Sequence, residues 1–233
     1  MHLLATCRAP VGVDVGSPRK DGSVITIHHL GVSQSERIVW LMEELGLPYR
    51  LKWYDRKPNR AAPDEYLALH PTAMAPVIED GDLVLTESAV IAEYVCHRYA
   101  GGRMTVGPAQ PNYYDYLYWM HFNNSAMGLR FTKSVLAAGA SGPVADTMRE
   151  VVNRREEQYY KYLDKRLGEV PYLAGPELTC ADILVVYRLT TGVLFGARSI
   201  DDLPNAVAYV RRIEARPAYQ KAMQIAGPKA VRP

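Results

Sequence analysis

The run AGGRMTVGPAQPN, residues 100–112, divides the chain into two stretches whose hydrophobic periodicities differ. Gly and Pro are dense in it and sit poorly inside a helix or a central strand, so it reads as a linker. Before it, short β-branched runs alternate with helical patterns; after it, every apolar repeat has a helical period. A chain that changes period once, at one break, is limited to two units of different kind joined in series.

In the first stretch, VITIHH (24–29) reads as a short strand. SERIVWLMEELG then places Ile38, Leu41, Met42 and Leu45 at helical spacing until Gly46 and Pro48 end it. YRLKWYD (49–55) alternates as a second strand, and the polar loop after it leaves room for a short helical turn at 63–69. PVIED (76–80) and LVL (83–85) meet across Asp80-Gly81-Asp82, a tight-hairpin signal, and a helix follows from about 87 to 99. This order predicts a small mixed sheet covered by helices. The segments 113–136, 144–167, 180–194 and 205–225 predict a unit built only of helices. The expected organisation is a loose extension at 1–22, an α/β domain at 23–100, a linker at 101–112, an all-α domain at 113–225 and a tail at 226–233.

Charge and cysteine usage narrow the partners. The 27 basic and 25 acidic residues are interspersed and leave a net charge of +2, with no basic stripe for a nucleic acid. Cys7, Cys96 and Cys180 are odd in number and scattered, which fits neither a zinc site nor a disulfide framework and suggests a reducing cytoplasm. No apolar run approaches the roughly 18 residues of a membrane span, and MHLLATCRAP is too short in its apolar part for a signal peptide.

Three loops carry candidate chemistry. In LVLTESAVIAEYV (83–95), Glu87 and Ser88 stand where strand gives way to helix. The first turn of a helix has unpaired N–H groups and the positive end of the macrodipole, so it stabilises an anion. With Thr86 as the expected N-cap, Ser88 offers a hydroxyl to a carboxylate and Glu87 an acceptor to an ammonium, the two charges of an α-amino acid head. The same residues also make an ordinary helix start, with Thr86 capping and Glu87 complementing the dipole. Upstream, Pro76 opens an apolar strand, a place open to a residue without a ladder N–H. A cis Ala75–Pro76 bond would expose the amide and carbonyl of Val77 to an extended, peptide-like ligand; a trans bond would simply start the strand. In HHLGVSQSERIVW (28–40), Ser33 and Glu36 form an S-x-x-E capping box. The Ser33 oxygen can serve its own helix while its O–H points at a ligand, where a hydroxyl beside a helix N-terminus favours thiolate over thiol. Ser35 is a second candidate, and His28 and His29 a third.

Together and in this order, HHLGVSQSERIVWLMEELGLPY, MAPVI and LTESAVIAEYV resemble the active-site loop, first helix and glutathione-binding segment of the glutathione S-transferase superfamily. The similarity runs from about 24 to about 225. YWMHF (118–122) resembles one microbial branch, and PYLAGPELTCADI (171–183) its buried helix start, with Thr179 and Asp182 as a capping box and Leu178 and Ile183 as a hydrophobic staple.

The resemblance implies a thioredoxin-like first domain that binds glutathione and a helical second domain that supplies most of the pocket for an electrophile. Ala75, Pro76 and Val77 then correspond to the cis-proline turn that pairs with the cysteinyl part of glutathione, and Glu87 and Ser88 to the holders of its γ-glutamyl head. Ser33, with Ser35 close by, corresponds to the thiolate-stabilising hydroxyl of the serine-type classes, and Arg37 to a structural position. Tyr113, Tyr114, Trp119 and Phe122 are expected to line an apolar second pocket, the alternatives being core or dimer surface. The implied reaction is glutathione transfer without a metal, by a cytoplasmic homodimer; a glutathione-dependent disulfide reductase or peroxidase, or a non-catalytic binding protein, uses the same scaffold. Departures are Ala73-Met74 where the branch often has Gly-Lys, His28-His29 in place of a tyrosine, and FNNSAM after YWMH. Arg56, Lys57 and Arg60 are candidate replacements for the missing lysine.

Overall fold

A computed structural model gives the arrangement of residues 24–122, 136 and 139–232. The extension expected at 1–22 and the residues from 123 onward in FNNSAM lie outside the described residues. The first half forms one four-stranded sheet, β1 (Ile25–Leu30), β2 (Tyr49–Tyr54), β3 (Val77–Asp80) and β4 (Leu83–Thr86), in the order β2-β1-β3-β4. β1 and β2 are parallel and joined through α1 (Glu36–Leu45), whereas β3 runs antiparallel to both β1 and β4. Gly46 ends α1 in the left-handed region at φ 66°, and Leu47 N–H returns to the Met42 carbonyl at 3.0 Å, the closure a glycine permits. The β3–β4 hairpin turns at Gly81-Asp82 as expected, with Asp80 opposite Leu83. The short α2 (Asp64–Leu67) and the longer α3 (Ser88–Tyr99) complete this half.

Strand alternation assigns the two faces. Ile25, Ile27 and Ile78 join the main core with α1 and α3, while Leu30, Tyr54 and Val77 turn the other way and meet Tyr66 of α2 in a smaller cluster. His29 shares the face of Ile25 and Ile27, at the end of β1 that feeds the loop to α1.

The second half is helical: 113–122 (α4), α5 (Pro143–Glu169), α6 (Cys180–Leu189), α7 (Pro204–Glu214) and α8 (Pro217–Ala226), with a 3₁₀ turn at Thr191–Phe195. Every residue of α6 is buried, as befits a helix apolar nearly all round. Its expected capping box is formed by Thr179 and Asp182. The main core continues from the sheet into this half without a break. Arg216 binds Glu44 at 2.7 Å and Tyr219 packs edge-on to Trp40, so α8 runs antiparallel to α1 and ends near the start of α1. Cys96 of α3 and Cys180 of α6, distant in sequence, bring their Sγ atoms within 3.4 Å. Among the described residues, no helix is long and apolar enough to cross a membrane.

Candidate functional site

The sheet register gathers the three loops. Val77 stands between His28 on β1 and Thr86 on β4. The loop leaving β1 (31–35), the turn entering β3 and the start of α3 therefore share one sheet edge. The Ala75–Pro76 bond at that edge is cis.

The first loop is held from outside by Arg56, whose Nε donates to the Gly31 carbonyl at 2.8 Å and Nη2 to the Val32 carbonyl at 3.2 Å. Val32 itself sits at φ 50°, a left-handed conformation uncommon for a β-branched residue and typical of strain kept at a site. Ser33 and Ser35 follow, 5% and 0% exposed. Their hydroxyl oxygens are 2.7 Å apart, and the Ser35 N–H donates to Ser33 Oγ at 3.3 Å. Behind them, His29 Nδ1 lies 2.8 Å from Ser35 Oγ. Burial, reinforced by the positive charge of Arg56, pushes the His29 imidazole down to about 4, so the ring is neutral at physiological pH.

The Ser33–Glu36 capping box does not form. The residue before α1 is Ser35, already in helical conformation, and no side chain among the described residues caps the helix. Glu36 instead turns into the interface with the helical half, where Thr191 O–H faces both carboxylate oxygens at 2.8 and 3.0 Å. Burial pushes this carboxyl up to about 8 against the opposing pull of Thr191 and Arg37. A raised folded pKa contributes stability that is whole below the unfolded value of about 4.5 and is lost as pH rises through about 8. Between about pH 6.5 and 8, above the range in which the depressed His29 imidazole contributes the opposite slope, the melting temperature is therefore expected to fall, and Glu36→Gln, an isostere of the protonated acid, is expected to flatten that slope. Equal slopes for the two proteins in differential scanning calorimetry would contradict this.

At α3 the boundary also differs from expectation. Thr86 remains in the ladder opposite Val77, so it ends β4 rather than capping the helix. Glu87 takes the N-cap position at φ 68°, ψ 114°, a strained backbone that carries the chain directly from the last ladder pair into the helix. Ser88 opens α3 and is buried, with Arg37 Nη1 donating to its hydroxyl at 3.3 Å. Arg37 also donates to Gln34 and lies 5.0 Å from the centre of the Tyr187 ring, while its Nε and Nη2 have no hydrogen-bond partner among the described residues. A buried guanidinium with open donors next to Ser88 strengthens the anion-binding character of this helix start. Sequence reading assigned Arg37 only a structural role; nothing local to residue 37 signals a partner 51 positions away.

The candidate lysine substitutes are occupied. Arg56 shapes the first loop, Lys57 pairs with Asp64 at 2.7 Å, and the Arg60 guanidinium lies over the Phe195 ring at 5.0 Å. Met74 is half exposed.

Of the four aromatic residues expected at a second pocket, Trp119 is 1% exposed and stacks on Tyr162, Phe122 stacks on Tyr159, and Tyr113 is half-buried against the main core. Tyr114 is 72% exposed. None of them lines the open groove of about 990 Å³ found between the 3₁₀ turn, α8 and the C-terminal tail, whose walls include Thr191, Leu194, Tyr219, Met223 and Val231. Thr191 joins that groove to Glu36 at the start of α1. The tail is tied across to the end of β2 by Arg232 and Asp55 at 3.0 Å. The groove is made by segments that meet only through tertiary packing, so no local pattern in the sequence marks it.

Residues 33–98 match the family described as glutathione S-transferase, N-terminal domain, and residues 136–223 the corresponding C-terminal domain. Glutathione S-transferase 3 of Schizosaccharomyces pombe is 33% identical over 217 residues, covering 86% of this chain and 87% of its own. A solved glutathione S-transferase of Actinobacillus pleuropneumoniae is 35% identical with a TM-score of 0.80, covering 88% of this chain and 95% of its own. The theta-class glutathione S-transferase of Xanthomonas axonopodis pv. citri, solved with glutathione bound, is 25% identical with a TM-score of 0.64, covering 88% and 99%. With its four-stranded mixed sheet and helical second half, the chain belongs to the glutathione S-transferase family of enzymes.

Proposed function

We propose that the chain binds glutathione along the shared sheet edge and activates its thiol as a thiolate, which attacks an electrophilic carbon of a mostly apolar second substrate. The observation that carries this reading is the convergence of a buried serine pair, a cis proline and a helix N-terminus at one edge. Ser88, the first-turn amides of α3 and Arg37 receive the γ-glutamyl carboxylate, and Glu87 accepts from its ammonium. The turn at Ala75, Pro76 and Val77 pairs with the cysteinyl backbone. Ser33, the more exposed of the two serines, faces the sulfur. In the reaction the thiolate forms a C–S bond while the leaving group departs with the electron pair of the bond that breaks. Holding both reactants in attack geometry supplies much of the rate. The groove beside the 3₁₀ turn, apolar at Leu194, Met223 and Val231, suits the second substrate. The family resemblance supports a homodimer in the cytoplasm.

Binding tests the reading directly. Ser88→Ala is expected to weaken glutathione about tenfold to a hundredfold in titration calorimetry, the equivalent of one hydrogen bond to a charged group at about 1.5–3 kcal/mol. Full retention of affinity would remove Ser88 from the site. Thioether formation with an aryl halide, in excess of turnover with a mixed disulfide, separates transfer from disulfide reduction.

A further inference from the structure

We infer that His29 is a positioning residue that sets the direction of a two-serine hydrogen-bond relay, so that the Ser33 hydroxyl is presented as a donor to the glutathione sulfur. This rests on the thiolate reading above and adds to it the question of what decides where the hydroxyl protons point.

The argument is a count of donors and acceptors. A serine hydroxyl has one donor and two acceptor sites, and a neutral imidazole has one nitrogen of each kind. His29 Nδ1 meets Ser35 Oγ at 2.8 Å, while His29 Nε2 is buried with no hydrogen-bond partner among the described residues. Its ring lies 4.4 Å from that of Trp53, its register partner on β2. An orphaned buried N–H is the rarer and costlier case, so the proton belongs on Nδ1 and the bare lone pair on Nε2. Nδ1–H then donates to Ser35 Oγ. Ser35 O–H donates in turn to Ser33 Oγ, 2.7 Å away. Ser33 Oγ also accepts the Ser35 backbone N–H at 3.3 Å, so both its acceptor sites are filled. Its own proton has no remaining use inside the loop and is free for a ligand.

The opposite tautomer reverses every link. Nδ1 would accept from Ser35, Ser35 from Ser33, and the loop would show the ligand a lone pair, which suits a thiol rather than a thiolate. The charge facing His29 is the Arg56 guanidinium, which opposes protonation of the ring. His29 is therefore not the base that removes the thiol proton; that proton leaves to solvent, and the ring acts through two hydroxyls. The second histidine, His28, faces away, toward Tyr54 and Glu79 on the opposite side of the sheet.

The test has two arms on the full chain. In protein labelled with ¹⁵N-histidine, long-range ¹H–¹⁵N correlation is expected to show His29 neutral with Nδ1 protonated, its signal assigned by its loss in His29→Asn. Ultraviolet difference titration of bound glutathione then gives the thiolate midpoint. His29→Leu is expected to raise it by about one pH unit, a tenfold loss of thiolate well below the midpoint, with affinity for S-methylglutathione unchanged. His29→Asn, which can place an N–H near the Nδ1 position, is expected to keep the midpoint near wild type. An Nε2–H tautomer, or an unmoved midpoint in a folded His29→Leu, overturns the inference and leaves the thiolate reading intact. Wild-type protein that binds glutathione without a thiolate band overturns both.

Discussion

Asp182→Ala is expected to lower the unfolding free energy by about 3–5 kcal/mol, the cost of leaving two or three buried donors without their acceptor at about 1–3 kcal/mol each. The carboxylate is 0% exposed at the start of α6, a helix itself buried throughout. Its Oδ1 accepts from Leu173 N–H and Tyr209 O–H, both at 2.9 Å. Its Oδ2 accepts from Thr179 N–H at 2.9 Å and meets Thr179 Oγ1 at 3.1 Å. The acid is thus more than a helix cap, because it ties the 171–175 turn and α7 to the helix start. Alanine leaves these donors unpaired where water does not reach, at about 1–3 kcal/mol for each one that cannot relax. Asp182→Asn keeps an acceptor but sets an NH₂ against donors, so an intermediate loss is expected. Urea unfolding at constant m-value measures both. A loss below about 1 kcal/mol for alanine would mean that the turn and α7 are held by apolar packing alone.

That cluster was legible in part, for a physical reason that applies to the whole chain. Thr179 and Asp182 are three residues apart, so a helical start brings them together whatever else the chain does. Asp80-Gly81-Asp82 is equally local, and the hairpin formed where it was expected. Ser33 and Glu36 have the same spacing as Thr179 and Asp182, yet their box is absent: the helix starts after Ser35, so Glu36 is its first residue and not its third, and its carboxyl meets Thr191, 155 residues away, inside the domain interface. Tyr209 on Asp182, Arg56 on the Gly31 carbonyl and Arg37 on Ser88 are long-range in the same way, and no periodicity encodes them. The helix boundary at Thr86 moved by a single residue, since ladder pairing with Val77 holds that threonine in the strand. Motif order was enough to bring the three loops to one edge; which hydroxyl contacts which became visible only from the packing.

Ser33→Ala is expected to raise the midpoint of bound glutathione by about two pH units, toward the free-thiol value of about 8.5, a change of roughly 2.7 kcal/mol. The activity change should be smaller. Well below both midpoints the thiolate fraction falls about a hundredfold, but a more basic thiolate is a better nucleophile, and a Brønsted coefficient of about 0.4–0.5 recovers nearly tenfold of it. The net loss of kcat/KM with an aryl halide is then about tenfold near pH 6, and it should close or invert above the variant's midpoint. A purely structural defect would lower the rate at every pH, so the profile separates the two. Affinity for S-methylglutathione, which has no ionisable thiol, is expected to stay near wild type. Ser35→Ala should give a smaller rise than Ser33→Ala, because it cuts the relay to His29 while leaving the terminal hydroxyl in place. If Ser35→Ala moved the midpoint and Ser33→Ala did not, the relay would run the other way in space, with Ser35 at the sulfur and Ser33 as its support.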